Sequence, residues 1–418
     1  MDIKTLLQGV DCACGRHHTC DIRFVAIERS AISHLTHLTA DYKAVLLVAD
    51  ENTYGAAGEK TVAALGEKLA RKVIFSGKTV LIPNEEAVDT VTAAMESIDL
   101  IVGIGSGVIQ DLCKYVAQVQ GVPYFVVATA PSMDGYASTG AAMIMGGMKV
   151  TYPAGVPAAI LADPEILKDA PMDMIQAGYG DIVGKYSALN DWRLSHVVTG
   201  EYFCQDIYDL TFDMVHKTLA LAEGLVKRDE ESVKVLMEAL IIVGIAMAFA
   251  GSSRPASGSE HHLSHYFEIT GIVRGEEYFP HGVDVAYSTV VTAALREEVL
   301  KRPWPEKAFR PSREEYVAEV TRIYGPVAEG CIALQDKVGL YEADTLSIYK
   351  AREAEIREIL SEMPGASEIE AMLAAVGMNM EQFYALYSPE KIADAKLYAK
   401  ELKDRYTVLW LYYDLFGK

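Results

Sequence analysis

Short apolar runs separated by turn residues and amphipathic stretches dominate the chain from Lys43 onward. The runs are rich in Val and Ile, and in chain order they read AVLLVAD, KVIF, TVLIP, LIVGIG and YFVVATAP. Runs of this length between turns are typical of buried parallel strands. Two connections rich in Ala, Glu and Lys, residues 58–69 and 85–98, predict crossover helices. The pattern therefore predicts an open, doubly wound α/β sheet over roughly the first 160 residues.

The pattern changes after Asp163-Pro164, where strand-like runs almost disappear. Long stretches of Ala, Leu, Glu and Lys with the apolar spacing of helices follow. We therefore predict two domains, an α/β domain over residues 1–163 and an all-α domain over residues 164–418.

Charge and composition restrict the partners of the chain. Its 418 residues carry a formal charge of -20, so no overall positive field attracts nucleic acid. The N-terminus lacks the basic and apolar regions of an export signal, which predicts a cytoplasmic location. The longest apolar run, residues 239–250, is too short to span a bilayer and predicts a buried helix rather than a membrane partner.

A glycine-rich turn follows the strand LIVGIG. Gly105, Ser106 and Gly107 precede an amphipathic helix that contains Asp111 and Lys114. Glycines let the backbone approach a pyrophosphate, and a helix N-terminus offers free N–H groups to it. A tight turn without a ligand would explain the same residues, but the position between a strand and a helix favours cofactor binding.

Two other predicted strands end in polar residues. Asp50 could accept hydrogen bonds from an adenosine ribose, which would favour NAD over NADP, or it could form a turn with Asn52. The segment ATAPSMDG, residues 128–135, has small and hydroxyl side chains that suit the wall of a cofactor or substrate site. Within it, Asp134 is either a site residue or a turn former.

The histidines and one aspartate indicate a metal site. His261 and His265 are four residues apart in SGSEHHLSHYFE, so a helix would place both on one face. His281 begins HGVDVAYST, and Asp181 lies in AGYGDIVGK. Two imidazoles and a carboxylate form a three-ligand site with open positions for water or substrate oxygens. Ordinary core packing of the histidines is the alternative, because sequence separation does not prove proximity.

The segment CACGRHHTC, residues 12–20, concentrates soft metal ligands. A structural zinc knuckle would use Cys12, Cys14 and one of His17 and His18, with Cys20 as a further candidate. The spacing does not match paired CxxC ligands, so the sequence favours a hairpin with reduced surface thiols over a zinc site.

Together these segments resemble the sn-glycerol-1-phosphate dehydrogenases, the branch of the iron-containing alcohol dehydrogenase and dehydroquinate synthase superfamily that includes the bacterial AraM-type enzymes. The resemblance covers almost the whole chain and rests on GIGSGVIQDLCKYVA, ATAPSMDGYAS, AGYGDIVGKYSALNDWRLS, SSRPASGSEHHLSHYFE, PHGVDVAYST and DRYTVLWLYYDLFG. It implies a dinucleotide-binding domain, a helical metal and substrate domain, a homodimer, and one divalent ion. Zinc is expected, with iron or nickel as alternatives.

The resemblance also implies roles for the matching residues. Asp181, His261 and His281 would bind the metal, His265 would either support a metal ligand or handle a proton, and Asp134 would face the substrate. With Asp50 added from its strand position, the residues expected to bind NAD(H) or NADP(H) are Asp50, Gly105, Ser106, Gly107, Asp111, Lys114, Thr129, Ser132 and Ser138.

Two positions near the expected metal ligands depart from the family's motifs. His262 is an extra histidine beside the expected ligand, and Val283-Asp284 stands where a Glu often follows the Gly. Arg254 in SSRPASGS is the leading candidate for binding a substrate phosphate, and Lys149 is a weaker one. A structural ion pair is the alternative for Arg254.

The implied reaction is reversible hydride transfer between a nicotinamide and C2 of dihydroxyacetone phosphate or sn-glycerol 1-phosphate. The ion would polarise the ketone, and His265 or Asp134 would relay the proton through water. Alternatives are an unphosphorylated polyol such as glycerol as substrate, a lyase similar to dehydroquinate synthase, and a binding protein without turnover.

Overall fold

The chain folds into two units, and each unit draws on two separate stretches of sequence. The computed structural model describes residues 1–146 and 148–417, with the side chains of residues 148 and 149 outside that description. The first unit contains Met1–Ile182 and His216–Ser253, and the second contains Val183–Val215 and Arg254–Lys418. This partition differs from the predicted division after residue 163.

The secondary structure changes from strands to helices along the chain. The strands are β1 (Val10–Asp11), β2 (His17–His18), β3 (Phe24–Ile27), β4 (Val45–Asp50), β5 (Leu69–Phe75), β6 (Leu100–Gly105), β7 (Tyr124–Ala128), β8 (Gly140–Met145), β9 (Met148–Pro153) and β10 (Ala159–Ala162). The helices up to residue 226 are α1 (Ile3–Leu7), α2 (Leu35–Leu38), α3 (Glu51–Leu65), α4 (Glu85–Ala93), α5 (Gly107–Gln120), α6 (Pro164–Leu167), α7 (Met172–Val183), α8 (Lys185–Thr199), α9 (Gln205–Leu219) and α10 (Ala222–Val226). The later helices are α11 (Glu230–Ala250), α12 (Ser259–Arg274), α13 (His281–Lys301), α14 (Arg313–Tyr324), α15 (Ala328–Val338), α16 (Thr345–Ala351), α17 (Glu353–Ser361), α18 (Ala366–Ala374), α19 (Met380–Leu386), α20 (Pro389–Tyr398) and α21 (Val408–Phe416).

The central sheet of the first unit has six strands in the order β3-β10-β7-β6-β4-β5. Every neighbouring pair in this sheet is parallel. Apolar residues from adjacent strands, among them Leu47, Val102 and Leu161, form one buried cluster. Two antiparallel hairpins, β1-β2 and β8-β9, lie outside this sheet. The predicted parallel α/β sheet is confirmed.

The strand predictions fail at two places. The segment TVLIP is not a strand: Val80 is 85% exposed and Ile82 is 52% exposed. A short run rich in β-branched residues occurs both in exposed loops and in buried strands, so the sequence of this segment does not decide between them. Conversely, β3 and β10 are true strands of the sheet, but each has only four residues and neither stands out as a long apolar run.

The order in which the chain adds strands to the sheet reverses between β4 and β6. These two strands are parallel neighbours, yet β4 is followed by β5 on one side and β6 by β7 on the other. In open α/β sheets, ligands bind in the crevice at the carboxyl ends of the two strands that flank such a reversal. Asp50 ends β4 and Gly105 ends β6, so the fold brings these two candidate residues to one edge.

Helix α11 explains why the first unit extends beyond residue 163. It packs against the turn Asp134–Ala137, which follows β7. A Cβ added at Gly244 would lie 2.6 Å from Cβ of Ala137 and 2.8 Å from the carbonyl oxygen of Asp134, so the approach requires glycine. Among the described residues, α11 is the one helix whose length and composition suffice to cross a membrane, and 78% of its apolar window is buried. Such burial is typical of a core helix.

In the described residues of the second unit, the regular secondary structure consists of helices, as predicted for the later part of the chain. Helices α12 and α13 pack against each other, and both contact α8. A separate apolar cluster includes Leu194, Tyr349, Ile356 and Trp410, which come from α8, α16, α17 and α21. The packing of α12 against α13 therefore brings the histidines of these two helices close together.

Candidate functional site

The glycine turn after β6 lies beside the loop that follows β7. Gly105 is paired with Ala128 in the parallel ladder, and the backbone N–H of Thr129 donates to the Gly105 carbonyl at 3.4 Å. Ser106 is the N-cap residue of α5, and its hydroxyl makes no capping hydrogen bond. The first N–H groups of α5 are thus not capped by this side chain, as a pyrophosphate-binding helix requires.

Two contacts hold this turn in place. The side chain amide of the buried Gln110 donates to the carbonyls of Gly103 and Gly105 at 3.1 and 3.2 Å. A Cβ at Gly105 would lie 2.8 Å from Cβ of Ile109, so this glycine serves helix packing. A Cβ at Gly107 would lie 3.2 Å from Sδ of Met133. Sequence reasoning missed Gln110, whose amide could have been recognised only as a polar residue on the buried face of α5.

Lys114 holds a loop together. Its buried ammonium donates to the carbonyls of Gly135 and Gly140 at 2.8 and 3.0 Å and to Oγ of Ser138 at 3.1 Å. Burial lowers the pKa of Lys114, while the carboxylates of Asp111 and Asp134 act to raise it. The three hydrogens of the ammonium are therefore used within the protein, and this geometry does not support direct cofactor binding by Lys114 or by the hydroxyl of Ser138.

Asp50 combines a structural contact with a position at the sheet reversal. Its Oδ1 accepts a hydrogen bond of 2.8 Å from the N–H of Thr53, and the Thr53 hydroxyl accepts one of 3.1 Å from the Asp50 N–H, which completes a capping box. Asp50 is thus the N-cap residue of α3, and its partner is Thr53, whereas Asn52 donates to the carbonyl of Gly77.

The loop after β7 is joined to α7 by two contacts within the first unit. The N–H of Asp134 donates to Oδ2 of Asp181 at 2.9 Å, and both side chains are buried. A Cβ at Gly178 would lie 1.8 Å from the carbonyl oxygen of Pro131. Glycine at this position lets α7 approach the loop closely enough for Asp181 to reach Asp134. Thr129 and Ser132 are buried in the same loop.

In the second unit, the three predicted histidines form one cluster. The ring centroids of His261 and His281 are 5.1 Å apart, those of His265 and His281 5.4 Å, and those of His261 and His265 6.2 Å. Helix α12 carries the rings of His261 and His265 on one face, and α13 begins at His281. The structure therefore brings together side chains that are up to 20 residues apart in sequence.

Hydrogen bonds orient two of these rings. Nδ1 of His261 lies 2.7 Å from Oε1 of the buried Glu260, and a carboxylate there accepts, so Nδ1 carries the hydrogen and Nε2 keeps its lone pair. Nδ1 of His281 lies 3.3 Å from Oγ of Ser264. A carboxylate that orients a ligating histidine is typical of metal sites. The donor set of imidazole nitrogens in this unit therefore fits a divalent metal ion.

Glu260 and Asp191 fix the start of α12. Burial acts to raise the pKa of Glu260, but hydrogen bonds from His261 and Gly258 hold it below its usual value. Asp191 accepts from the N–H of Ser259 at 2.7 Å and from that of Val408 at 2.8 Å. Sequence reasoning missed both acids. Their one signal was the position of Glu260 next to His261, and of Asp191 within SALNDWRLS.

Arg254 is committed to contacts inside the second unit. Its guanidinium is buried, forms an ion pair with Glu201, and donates to the carbonyl of Tyr406 at 2.8 Å and to Oγ of Ser195 at 3.1 Å. This is the structural ion pair that the sequence left open, and the geometry does not support Arg254 as a phosphate ligand. The side chain of Lys149 lies outside the described residues.

Arg405 is a second guanidinium in the same region. Burial and the positive charge of Arg254 lower the pKa of Arg405 to about 10. Its Nη1 donates to the carbonyl of Ser257 at 3.1 Å, in the loop that leads into α12. Nearby, His262 is fully buried, and burial together with the charges of Arg405 and Lys403 holds its pKa well below the usual value. The carboxylates of Asp404, Glu201 and Glu260 act to raise the pKa of Arg405 against the repulsion from Arg254, and a bound anion would act in the same direction.

The chain is similar to enzymes of known name over most of its length. A sequence model described as iron-containing alcohol dehydrogenase matches residues 26–171. A glycerol-1-phosphate dehydrogenase of Geobacillus thermodenitrificans, named as using NAD(P)+, is 33% identical over 385 residues, 87% of this chain and 86% of that protein. A protein of the same name from Halalkalibacterium halodurans is 29% identical over 96% of this chain and 94% of that protein. Among solved structures, an alcohol dehydrogenase from Oenococcus oeni has a TM-score of 0.60 at 15% identity, covering 93% of this chain and 94% of that one.

Proposed function

Because the chain belongs to the glycerol-1-phosphate dehydrogenase family, we propose that it interconverts dihydroxyacetone phosphate and sn-glycerol 1-phosphate with NAD(H) or NADP(H) and one divalent metal ion. One observation carries the chemistry: His261, His265 and His281 converge, with a buried carboxylate orienting the first of them. In the absence of a metal role, three adjacent imidazoles and a buried Glu260 would have little reason to be packed together.

The cofactor and the ion would supply the chemistry of hydride transfer and of polarising the ketone oxygen. His261 and His281, with Asp181, would hold the ion. Glu260 keeps the hydrogen of His261 on Nδ1, so that Nε2 is directed to the ligand position. The Asp134 N–H orients the Asp181 carboxylate in the same way. We propose zinc, with iron or nickel as alternatives that metal analysis distinguishes.

The turn at Gly105–Gly107 would bind the pyrophosphate through backbone N–H groups of α5. Support comes from the position of this turn at the reversal of strand order, beside Asp50. A carboxylate at Asp50 favours NAD(H), because it would repel the 2′-phosphate of NADP(H). The small side chains of Thr129 and Ser132 would line the nicotinamide side.

A proton must also move between the substrate hydroxyl and solvent. His265 is partly exposed and lies within the histidine cluster, and the buried Asp134 lies in the loop after β7. We propose His265 as the proton-handling group, because a partly exposed imidazole can exchange protons with water near neutral pH. Asp134 would orient the substrate.

The substrate phosphate requires a local cation in a chain of net charge -20. Since Arg254 is paired with Glu201, we propose Arg405 as the phosphate ligand. Its guanidinium lies at the loop before α12, its positive charge is opposed by that of Arg254, and a dianionic phosphate would relieve this repulsion.

A substrate panel with both cofactors tests the function. Purified protein loaded with zinc, iron or nickel should oxidise reduced nicotinamide in the presence of dihydroxyacetone phosphate and much more slowly with dihydroxyacetone. Preference for unphosphorylated glycerol would establish a polyol dehydrogenase, and no redox turnover with any polyol would overturn the proposal. We further propose a homodimer in the cytoplasm, and sedimentation of the holoenzyme tests the assembly.

A further inference from the structure

The N-terminal hairpin carries soft metal ligands that the proposed reaction does not use. Strands β1 and β2 pair around a turn in which the N–H of Gly15 donates to the carbonyl of Cys12 at 3.0 Å. Gly15 has a φ of +81°, a left-handed conformation that glycine adopts without strain. This turn folds Cys14 back toward Cys12 and places β2 opposite β1.

Three side chains of this hairpin point toward one position. Sγ of Cys12, Sγ of Cys14 and a ring nitrogen of His18 all lie within 4.8 Å of one another. Sγ of Cys14 is 3.4 Å from Nε2 of His18. With zinc–sulfur bonds near 2.3 Å and zinc–nitrogen bonds near 2.0 Å, a sulfur and a nitrogen donor on a tetrahedral zinc are about 3.5 Å apart. The observed separation therefore already matches that of two ligands of one ion.

The hydrogen bonds around the cluster suit a ligated state. Nδ1 of His18 lies 3.0 Å from the carbonyl oxygen of Phe249, which can only accept, so Nδ1 carries the hydrogen and Nε2 presents its lone pair to the cysteines. Histidines that bind metals are usually oriented in this way by a carbonyl or carboxylate. The N–H of Cys14 donates to Sγ of Cys12 at 3.4 Å, which holds the two cysteines in one turn.

The neighbouring candidates are excluded by their own contacts. Nδ1 of His17 lies 2.7 Å from Oδ1 of Asp11 on the exposed side of the hairpin. Within the described residues, Cys20 is not part of the cluster. The choice between the two histidines and among the three cysteines, which the sequence left open, is thus made by geometry.

We propose that Cys12, Cys14 and His18 bind a structural zinc ion, separate from the ion of the proposed reaction. A fourth donor, either a further thiol of the chain or a water molecule, completes the tetrahedron. Because Phe249 is in the last turn of α11, where carbonyls lack partners within the helix, His18 links the zinc hairpin to the end of the core helix. The ion fixes a short two-stranded hairpin that would be marginal alone.

The test separates the two metal sites. In a His261→Ala, His281→Ala background, which lacks the imidazoles of the proposed reaction site, the protein should retain about one zinc per chain by elemental analysis. Adding Cys12→Ser, Cys14→Ser or His18→Ala should remove that zinc, whereas Cys20→Ser and His17→Ala, matched controls from the same segment, should leave it bound. A background variant without zinc, or equal losses in the controls, would overturn the proposal.

Cobalt substitution gives a readout that needs neither turnover nor a folded cysteine variant. Wild-type protein loaded with Co²⁺ should show a thiolate-to-cobalt charge-transfer band in the near ultraviolet, which a site made of an aspartate and imidazoles cannot produce. The band should persist in the His261→Ala, His281→Ala background. A cobalt-loaded wild type without this band would show that the cysteines are ordinary reduced thiols.

Discussion

The backbone N–H of Asp134 donates a hydrogen bond of 2.9 Å to Oδ2 of Asp181, so the loop after β7 orients the carboxylate proposed as a metal ligand. This contact depends on the close approach of α7 to Pro131. Gly178, three residues before Asp181, makes that approach possible because it has no side chain.

Replacing Gly178 with Ala should therefore damage both stability and metal binding. The new Cβ would lie 1.8 Å from the carbonyl oxygen of Pro131, and the helix must shift away from the loop. We expect the free energy of unfolding to fall by about 1–3 kcal/mol and metal affinity to fall by about 10–100-fold. Denaturant titration and metal titration measure the two effects.

Gly55→Ala is the matched control. Gly55 lies within α3, and a Cβ there would meet nothing within 4 Å. This variant should be more stable by about 0.5–1 kcal/mol, because alanine is the better helix former. If both variants behaved alike, the close contact at Gly178 would not explain the position of Asp181.

The sheet and the placement of His261 and His265 on one helix face could be predicted because strong local patterns encode them. Val- and Ile-rich runs specify buried strands, and a spacing of four on a helix brings His261 and His265 to one face. That His281 joins them depends on how α12 packs against α13, and no local pattern in the sequence encodes that packing.

Other site features depend on contacts between distant residues. The role of Arg254 was open because its partner, Glu201, lies 53 residues away. The first unit includes α11 because Gly244 of this helix reaches the turn after β7, a contact that composition does not reveal. Glycines at such approaches are ambiguous in sequence, since they also serve turns and helix ends.

Removing a histidine ligand should separate metal binding from cofactor binding. His261→Ala or His281→Ala should eliminate the reaction-site ion and turnover, while NAD(H) still binds to the turn at Gly105–Gly107. His265→Ala should keep the ion but lower kcat by about 10²–10⁴-fold, as expected for loss of a proton-transfer group. Metal analysis, cofactor titration and kinetics distinguish these outcomes, and near-normal turnover in the first two variants would refute the ligand assignment.

Gly107→Val should weaken cofactor binding with little change in metal content. A branched side chain would meet Met133 at the position where backbone N–H groups must approach the pyrophosphate. Because the nearest atom belongs to a flexible methionine, the fold should tolerate the change. Gly107→Ala should give a smaller effect. An unchanged dissociation constant for NAD(H) in folded Gly107→Val protein would mean that the turn has only a structural role.

The two arginines of the second unit should respond differently to substrate phosphate. If Arg405 binds it, Arg405→Ala should lower kcat/KM for dihydroxyacetone phosphate. The activation free energy calculated from kcat/KM should rise by about 2–4 kcal/mol, and kcat/KM for dihydroxyacetone should stay almost unchanged. Arg254→Ala should instead destabilise the second unit by about 1–3 kcal/mol, because the partly buried Glu201 and the Tyr406 carbonyl lose their donor. Its kinetic losses should be equal on both substrates, and Glu201→Ala should reproduce them, since it breaks the same ion pair from the other side. A phosphate-selective loss in Arg254→Ala with none in Arg405→Ala would reverse the two assignments.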